Sequence, residues 1–278
     1  MESTAPSESS MKDFSSSNLT TSPLFSDSAA DITFKSSDGM LFKIYRKYLE
    51  ATSAGFTAPP FVETDQDPVL LQEPSEVLEI LFRFVHPPME SQQYHQPNMA
   101  DVEPEVLFAV AEAADKYLVY GAMNICLSRM DKFADKYPLK ILNHSYKHGY
   151  DELADRTAPL TVGFRLPAVA AKLTCPGLLQ KWIVYYDRWM ELSHFTWLWM
   201  QDSPYTRCGK VIGWQLEFFK RFAENPRSIF PLPPVPPFTK DCPYENNCHV
   251  GDLNALSLEI IKMGKAIPKF TSILIPSR

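Results

Sequence analysis

Ala30-Asp31-Ile32-Thr33-Phe34-Lys35-Ser36-Ser37-Asp38-Gly39-Met40-Leu41-Phe42-Lys43-Ile44-Tyr45-Arg46-Lys47-Tyr48-Leu49 is the stretch that decides the fold. Apolar and polar residues alternate from Asp31 to Lys35 and again from Leu41 to Tyr45, which is the two-residue period of a strand with one buried face. Between them stands Asp38-Gly39, a turn-forming dipeptide, so the two runs read as a hairpin with Phe42 and Ile44 on one face. Past Tyr45 the period changes: Tyr48, Leu49, Thr52 and Phe56 are spaced as on a helix, which Pro59-Pro60 forbids to continue.

The reading extends outward in both directions. After an acidic loop, Pro68-Val69-Leu70-Leu71 reads as a short buried strand. Pro74-Ser75-Glu76 then opens a helix whose apolar stripe is Val77, Ile80, Leu81, Phe84 and Val85, closed by Pro87-Pro88. A polar loop, Met89 to Met99, leads to a helix entered through Asp101 and Pro104. Its expected inner face is Val106, Ala109, Val110, Ala113 and Tyr117, with Gly121 as its breaker. Ala122 to Phe133 reads as another helix, burying Met123, Ile125, Cys126 and Met130. Upstream, residues 1–23 are rich in Ser and Thr and poor in large apolar side chains, the composition of a disordered leader.

The segment Ala30 to Phe133 resembles the BTB/POZ domain, in the form expanded in mushroom-forming fungi. The resemblance rests on Ala30 to Phe34, Ser37-Asp38-Gly39, Phe42-x-Ile44-Tyr45-Arg46-x-x-Leu49, Ser53 and Phe56. Val77 to Pro87 and Ala111-Glu112-Ala113-Ala114-Asp115-Lys116-Tyr117 add to it. It implies an α+β fold, a small sheet flanked by helices, over residues 24–134. It also implies a dimer interface near Asp31 and Arg46, to which a short strand beginning at Leu24 and Phe25 would add by pairing with a sheet edge of a second copy. Tyr45 stands where the family usually has His. Read without the resemblance, Asp31 and Arg46 are a structural pair, an acid holding a strand end and a base near a helix start.

Residues 135–278 read as an all-α domain. Pro138-Leu139-x-Ile141-Leu142 and Tyr150 to Ala154 begin a helix pair of the kind that follows BTB domains. Leu178, Trp182, Tyr185 and Trp189 form an apolar stripe. Val211, Gln215, Leu216, Phe219 and Phe222 mark a further helix, and Asp252 caps a last one with Leu253, Leu256, Ile260 and Met263, ended by Gly264 and Pro268. Pro231-Leu232-Pro233-Pro234-Val235-Pro236-Pro237 holds overlapping Pro-x-x-Pro registers. It reads as a stiff connector in preference to a ligand for an aromatic-grooved adaptor domain.

Composition limits the function. The net charge of -6 and pI near 5.6 supply no basic footprint for nucleic-acid backbones. No apolar run approaches the roughly 20 residues of a membrane span, the first residues lack a secretory core, and five scattered cysteines suit a reducing compartment. The chain is therefore expected inside the cell, in the cytoplasm or nucleus. No phosphate loop, nucleophile elbow or His-Glu-x-x-His occurs among 10 glycines, so neither an enzyme nor a cofactor is expected.

Two metal-like sets are present. His144 and His148 lie four apart but read as the C-terminal end of a surface helix closed by Gly149. Cys208, Cys242, Cys248 and His249 carry zinc chemistry without the close ligand pairs of structural zinc sites, and so define the alternative reading, a zinc-stabilised regulatory module. The expected function is a homodimerising protein-interaction adaptor. Its partner is either a cullin-type ubiquitin ligase scaffold or a transcriptional complex.

Overall fold

A computed structural model describes residues 20–56, 67–86, 97–201, 209–237 and 250–275. Among them the chain is α+β and mostly helical, with ten α-helices and one three-stranded sheet. It divides into two compact units, Met1–Leu127 and Ser128–Arg278.

In the first unit, β1 (Ile32–Lys35) and β2 (Leu41–Ile44) form the expected antiparallel hairpin, with Ile32 opposite Ile44 and Phe34 opposite Phe42. All four side chains are buried, so the alternating pattern does place one face in the core. Gly39 turns the chain with φ +93°, a conformation that side-chain-bearing residues rarely adopt. β3 (Val69–Leu70) joins β1 in parallel, giving the order β2-β1-β3. The strand is present but not buried: Val69 and Leu70 are exposed and only Leu71 turns inward, because an edge strand this short has a covered face only where the chain leaves it.

α1 (Arg46–Thr52) ends at Thr52, earlier than the spacing of Phe56 suggests. The next residues leave the helix to pair with the end of α3 (Pro104–Tyr117): Ala54 and Gly55 donate to the carbonyls of Leu118 and Tyr117. A Cβ on Gly55 would lie 2.5 Å from the Tyr117 carbonyl carbon, so only glycine allows this approach. Leu118, in left-handed geometry at φ 51°, ends α3, and Gly121 lies inside α4 (Tyr120–Lys132). The expected break is thus made three residues earlier, by leucine. On α3, Val110, Ala113 and Tyr117 are buried as expected. Val106 and Ala109 are not, and Leu107, Phe108, Ala111 and Ala114 replace them. On α4, Cys126 and Met130 are buried, whereas Ile125 is exposed and Met123 half-buried.

α2 (Ser75–Val85) is the centre of this unit. The Phe82 ring lies 5.3–6.0 Å from the rings of Phe25, Phe34, Phe42 and Phe56, geometry in which tilted rings attract beyond their area burial. Phe82 and Leu78 fall outside the expected stripe and are both fully buried, while Ile80 is only half-buried. A helix packed on more than one side does not show a single stripe.

In the second unit, α5 (Pro138–His148) and α6 (Asp151–Thr161) form the expected helix pair, and Gly149 in left-handed geometry ends the first of them. Leu178, Trp182, Tyr185 and Trp189 are all buried along the long α8 (Leu178–Gln201), which follows the short α7 (Leu166–Lys172). The Trp182 indole donates to the Thr161 hydroxyl at 2.7 Å, satisfying its one polar atom. α9 (Gly209–Glu224) is turned from the expected face: Val211, Trp214, Phe218 and Phe222 are buried, while Leu216 is exposed. α10 (Val250–Ala266) buries Leu253, Leu256 and Ile260. Gly264 does not end it; the glycine is where the Phe230 ring packs, and a Cβ there would overlap that ring.

Candidate interaction site

Of the residues singled out for an interface, Asp31 stands at the head of the hairpin and Arg46 at the start of α1. α1 begins at Arg46, and its flanking residue Tyr45 offers no side-chain cap. The cap comes from Asp31 at the head of β1, whose carboxylate accepts the Arg46 backbone N–H at 2.7 Å. A negative group at that end also opposes the positive pole of the helix. Asp31 thus holds Arg46 through the main chain, which is the structural half of the two readings of this pair. Both residues keep surface to offer, Asp31 exposed and Arg46 half-buried.

Asp38, in the turn that follows β1, repeats the device. α2 lacks a cap from Pro74, and Asp38 accepts from both the backbone N–H of Ser75, at 3.0 Å, and its hydroxyl, at 2.6 Å. The hydrogen bonds from Ser36 and Ser75 hold the Asp38 carboxyl below its ordinary range. Glu73 fastens the adjoining loop to α3, accepting from Lys116 at 2.8 Å and from the Tyr117 hydroxyl at 2.6 Å. Burial pushes its carboxyl upward, but the hydrogen bonds from Lys116 and Tyr117, a backbone hydrogen bond and the Lys116 charge together keep it lowered.

Tyr45 is the hub of an aromatic group. Its hydroxyl donates to the Asp27 carboxylate, a bond that pushes the phenol up and holds Asp27 down. Its ring stacks on His86, the residue that ends α2, with centroids 5.4 Å apart. Tyr48 and Phe25 meet the same imidazole edge-on at 4.6 and 6.0 Å. The Lys47 ammonium lies 5.0 and 4.9 Å from the rings of Tyr45 and Tyr48, in cation–π range. The imidazole of this group comes from His86, the residue that closes α2. Asp27 lies in no periodic run that would mark it in the sequence, and His86 was read only as the end of the Val77 to Pro87 stretch.

Leu24 and Phe25 do not begin a strand. Pro23–Phe25 is a single 3-10 turn, and Phe25 is 3% exposed, its ring packed on Phe42 and Phe82. The extended segment lies just before it: Ser22 N–H donates to Leu41 and Leu41 N–H to Thr20, at 2.8 and 2.9 Å. The outer edge of β2 is thus covered by the chain itself. Proline at the first position of the turn explains the correction, since it has no N–H to give a ladder. Leu24 remains on the surface, 43% exposed.

Of the metal-like sets, Cys208, Cys242, Cys248 and His249 lie outside the described residues. His144 and His148 have ring centroids 4.6 Å apart, but His144 is buried, like Ile141 one turn before it, so that face of α5 is not the surface face expected. Burial pushes the Cys126 thiol up to about 12, which leaves it neutral and a poor nucleophile or ligand. No helix among the described residues is long and apolar enough to cross a membrane. No protein-family model matches the chain, and no curated protein matches it in sequence.

Proposed function

We propose that the chain is a non-catalytic protein-interaction adaptor whose first unit is a BTB/POZ-like domain that forms homodimers, inside the cell and in its cytoplasm or nucleus. The observation that carries the reading is the element order of that unit. An antiparallel hairpin, a short helix, a short strand and then helices follow one another, the order of elements read from the sequence over the segment that carries the resemblance. Leu24 is an exposed aliphatic side chain, and Asp31 is an exposed charged group whose carboxylate is fixed by capping the Arg46 backbone N–H; these support a contact through them. Phe25 is buried against Phe42 and Phe82, so its part is structural.

The partner beyond the second copy is a protein, either a cullin-type scaffold or a component of a transcriptional complex. Affinity purification of the full chain followed by mass spectrometry decides between them. Sedimentation equilibrium tests the interface: Leu24→Asp and Arg46→Glu are expected to weaken self-association at least about tenfold, which corresponds to about 1.4 kcal/mol. Self-association unchanged by both substitutions contradicts this placement of the contact.

A further inference from the structure

The proline run 231–237 lies along α9, and the contacts between them have the chemistry of a recognition groove. Proline-rich backbone offers carbonyl oxygens and few N–H groups, so whatever holds it must donate. α9 supplies three donors. Arg221 reaches the Pro231 carbonyl at 3.2 Å, the buried Trp214 indole reaches that of Pro233 at 2.8 Å, and Lys210 reaches that of Pro237 at 3.4 Å.

The donors are spaced four and seven residues apart, which sets them on one face of the helix. Their order is antiparallel to the segment: Arg221 meets its first residue, Trp214 its third and Lys210 its last. Between the polar contacts, Pro233 is buried, and Leu232 and Val235 pack against the core of this unit.

We propose that this face of α9 is a binding site for proline-rich segments, filled in cis by residues 231–237 and open to exchange with a proline-rich segment of a partner protein. The run is then an internal competitor, whose effective concentration is on the order of millimolar for so short a tether. This inference does not depend on the fold or dimerisation of the first unit.

The probe is a fluorescently labelled synthetic peptide with the sequence of residues 229–237, followed by anisotropy against the full chain. A chain carrying Pro233→Ala and Pro236→Ala, whose own segment is less pre-organised, is expected to bind the peptide at least about tenfold more tightly than the unaltered chain. Adding Trp214→Phe, which keeps a ring and removes the N–H donor, is expected to abolish the gain. Circular dichroism establishes that each variant is folded. The indole N–H resonance of Trp214 in the unaltered chain, assigned by its loss in Trp214→Phe, gives an independent reading, and it is expected to shift with peptide at millimolar concentration. Equal binding by all three chains overturns the proposal, as does an indole resonance that does not respond.

Discussion

At the residue scale, two acids flanking β1, Asp31 before it and Asp38 in the turn after it, do the same work. Asp31 and Asp38 each cap a helix that begins without a cap of its own. Asp38→Ala is expected to cost about 1 kcal/mol, the usual worth of an N-cap, read as a lower midpoint in urea unfolding. Its pH dependence has a definite sign. The folded carboxyl titrates below its ordinary 3.8, so its contribution is complete above that pH and is lost as the pH falls through the folded value. In Asp38→Ala the acid-side decline in stability should accordingly be shallower. Gly55 gives a steric test: Gly55→Ala is expected to cost about 1–3 kcal/mol by overpacking, because its Cβ would meet the Tyr117 backbone. A thermal midpoint equal to that of the unaltered chain would contradict the close approach. Neither acid is distinguishable as a cap in the sequence, since each acts on a helix 15 or 37 residues away.

At the scale of elements, what was legible followed from period and punctuation. The hairpin was readable because only one of its faces is buried, and α2 was bounded correctly because Pro74 and Pro87 frame it. The reading weakened where packing is many-sided. α2 buries Leu78 and Phe82 outside its stripe, and α9 turns Trp214 and Phe218 inward where Gln215 and Phe219 had been expected. The 3-10 turn at Leu24 and Phe25 illustrates a second cause, an apolar pair read as a strand when a proline before it forbids the ladder. Phe82 is the strongest test at this scale. Phe82→Ala removes the ring that joins α2 to both strands of the hairpin, and is expected to cost about 3–5 kcal/mol. A loss under about 1 kcal/mol in denaturant unfolding would show that the aromatic group does not hold the sheet to the helix.

At the scale of the whole molecule, the candidate interface was only partly legible. Asp31 and Arg46 are brought together, but by a backbone hydrogen bond that spacing cannot reveal, and Tyr45 meets His86 from a different element. The central claim is that this unit pairs with a second copy of itself. Size-exclusion chromatography with light scattering on the full chain at micromolar concentration tests it most directly. The account predicts a particle of twice the 31.6 kDa of one chain, and a particle of 31.6 kDa throughout that range would contradict it.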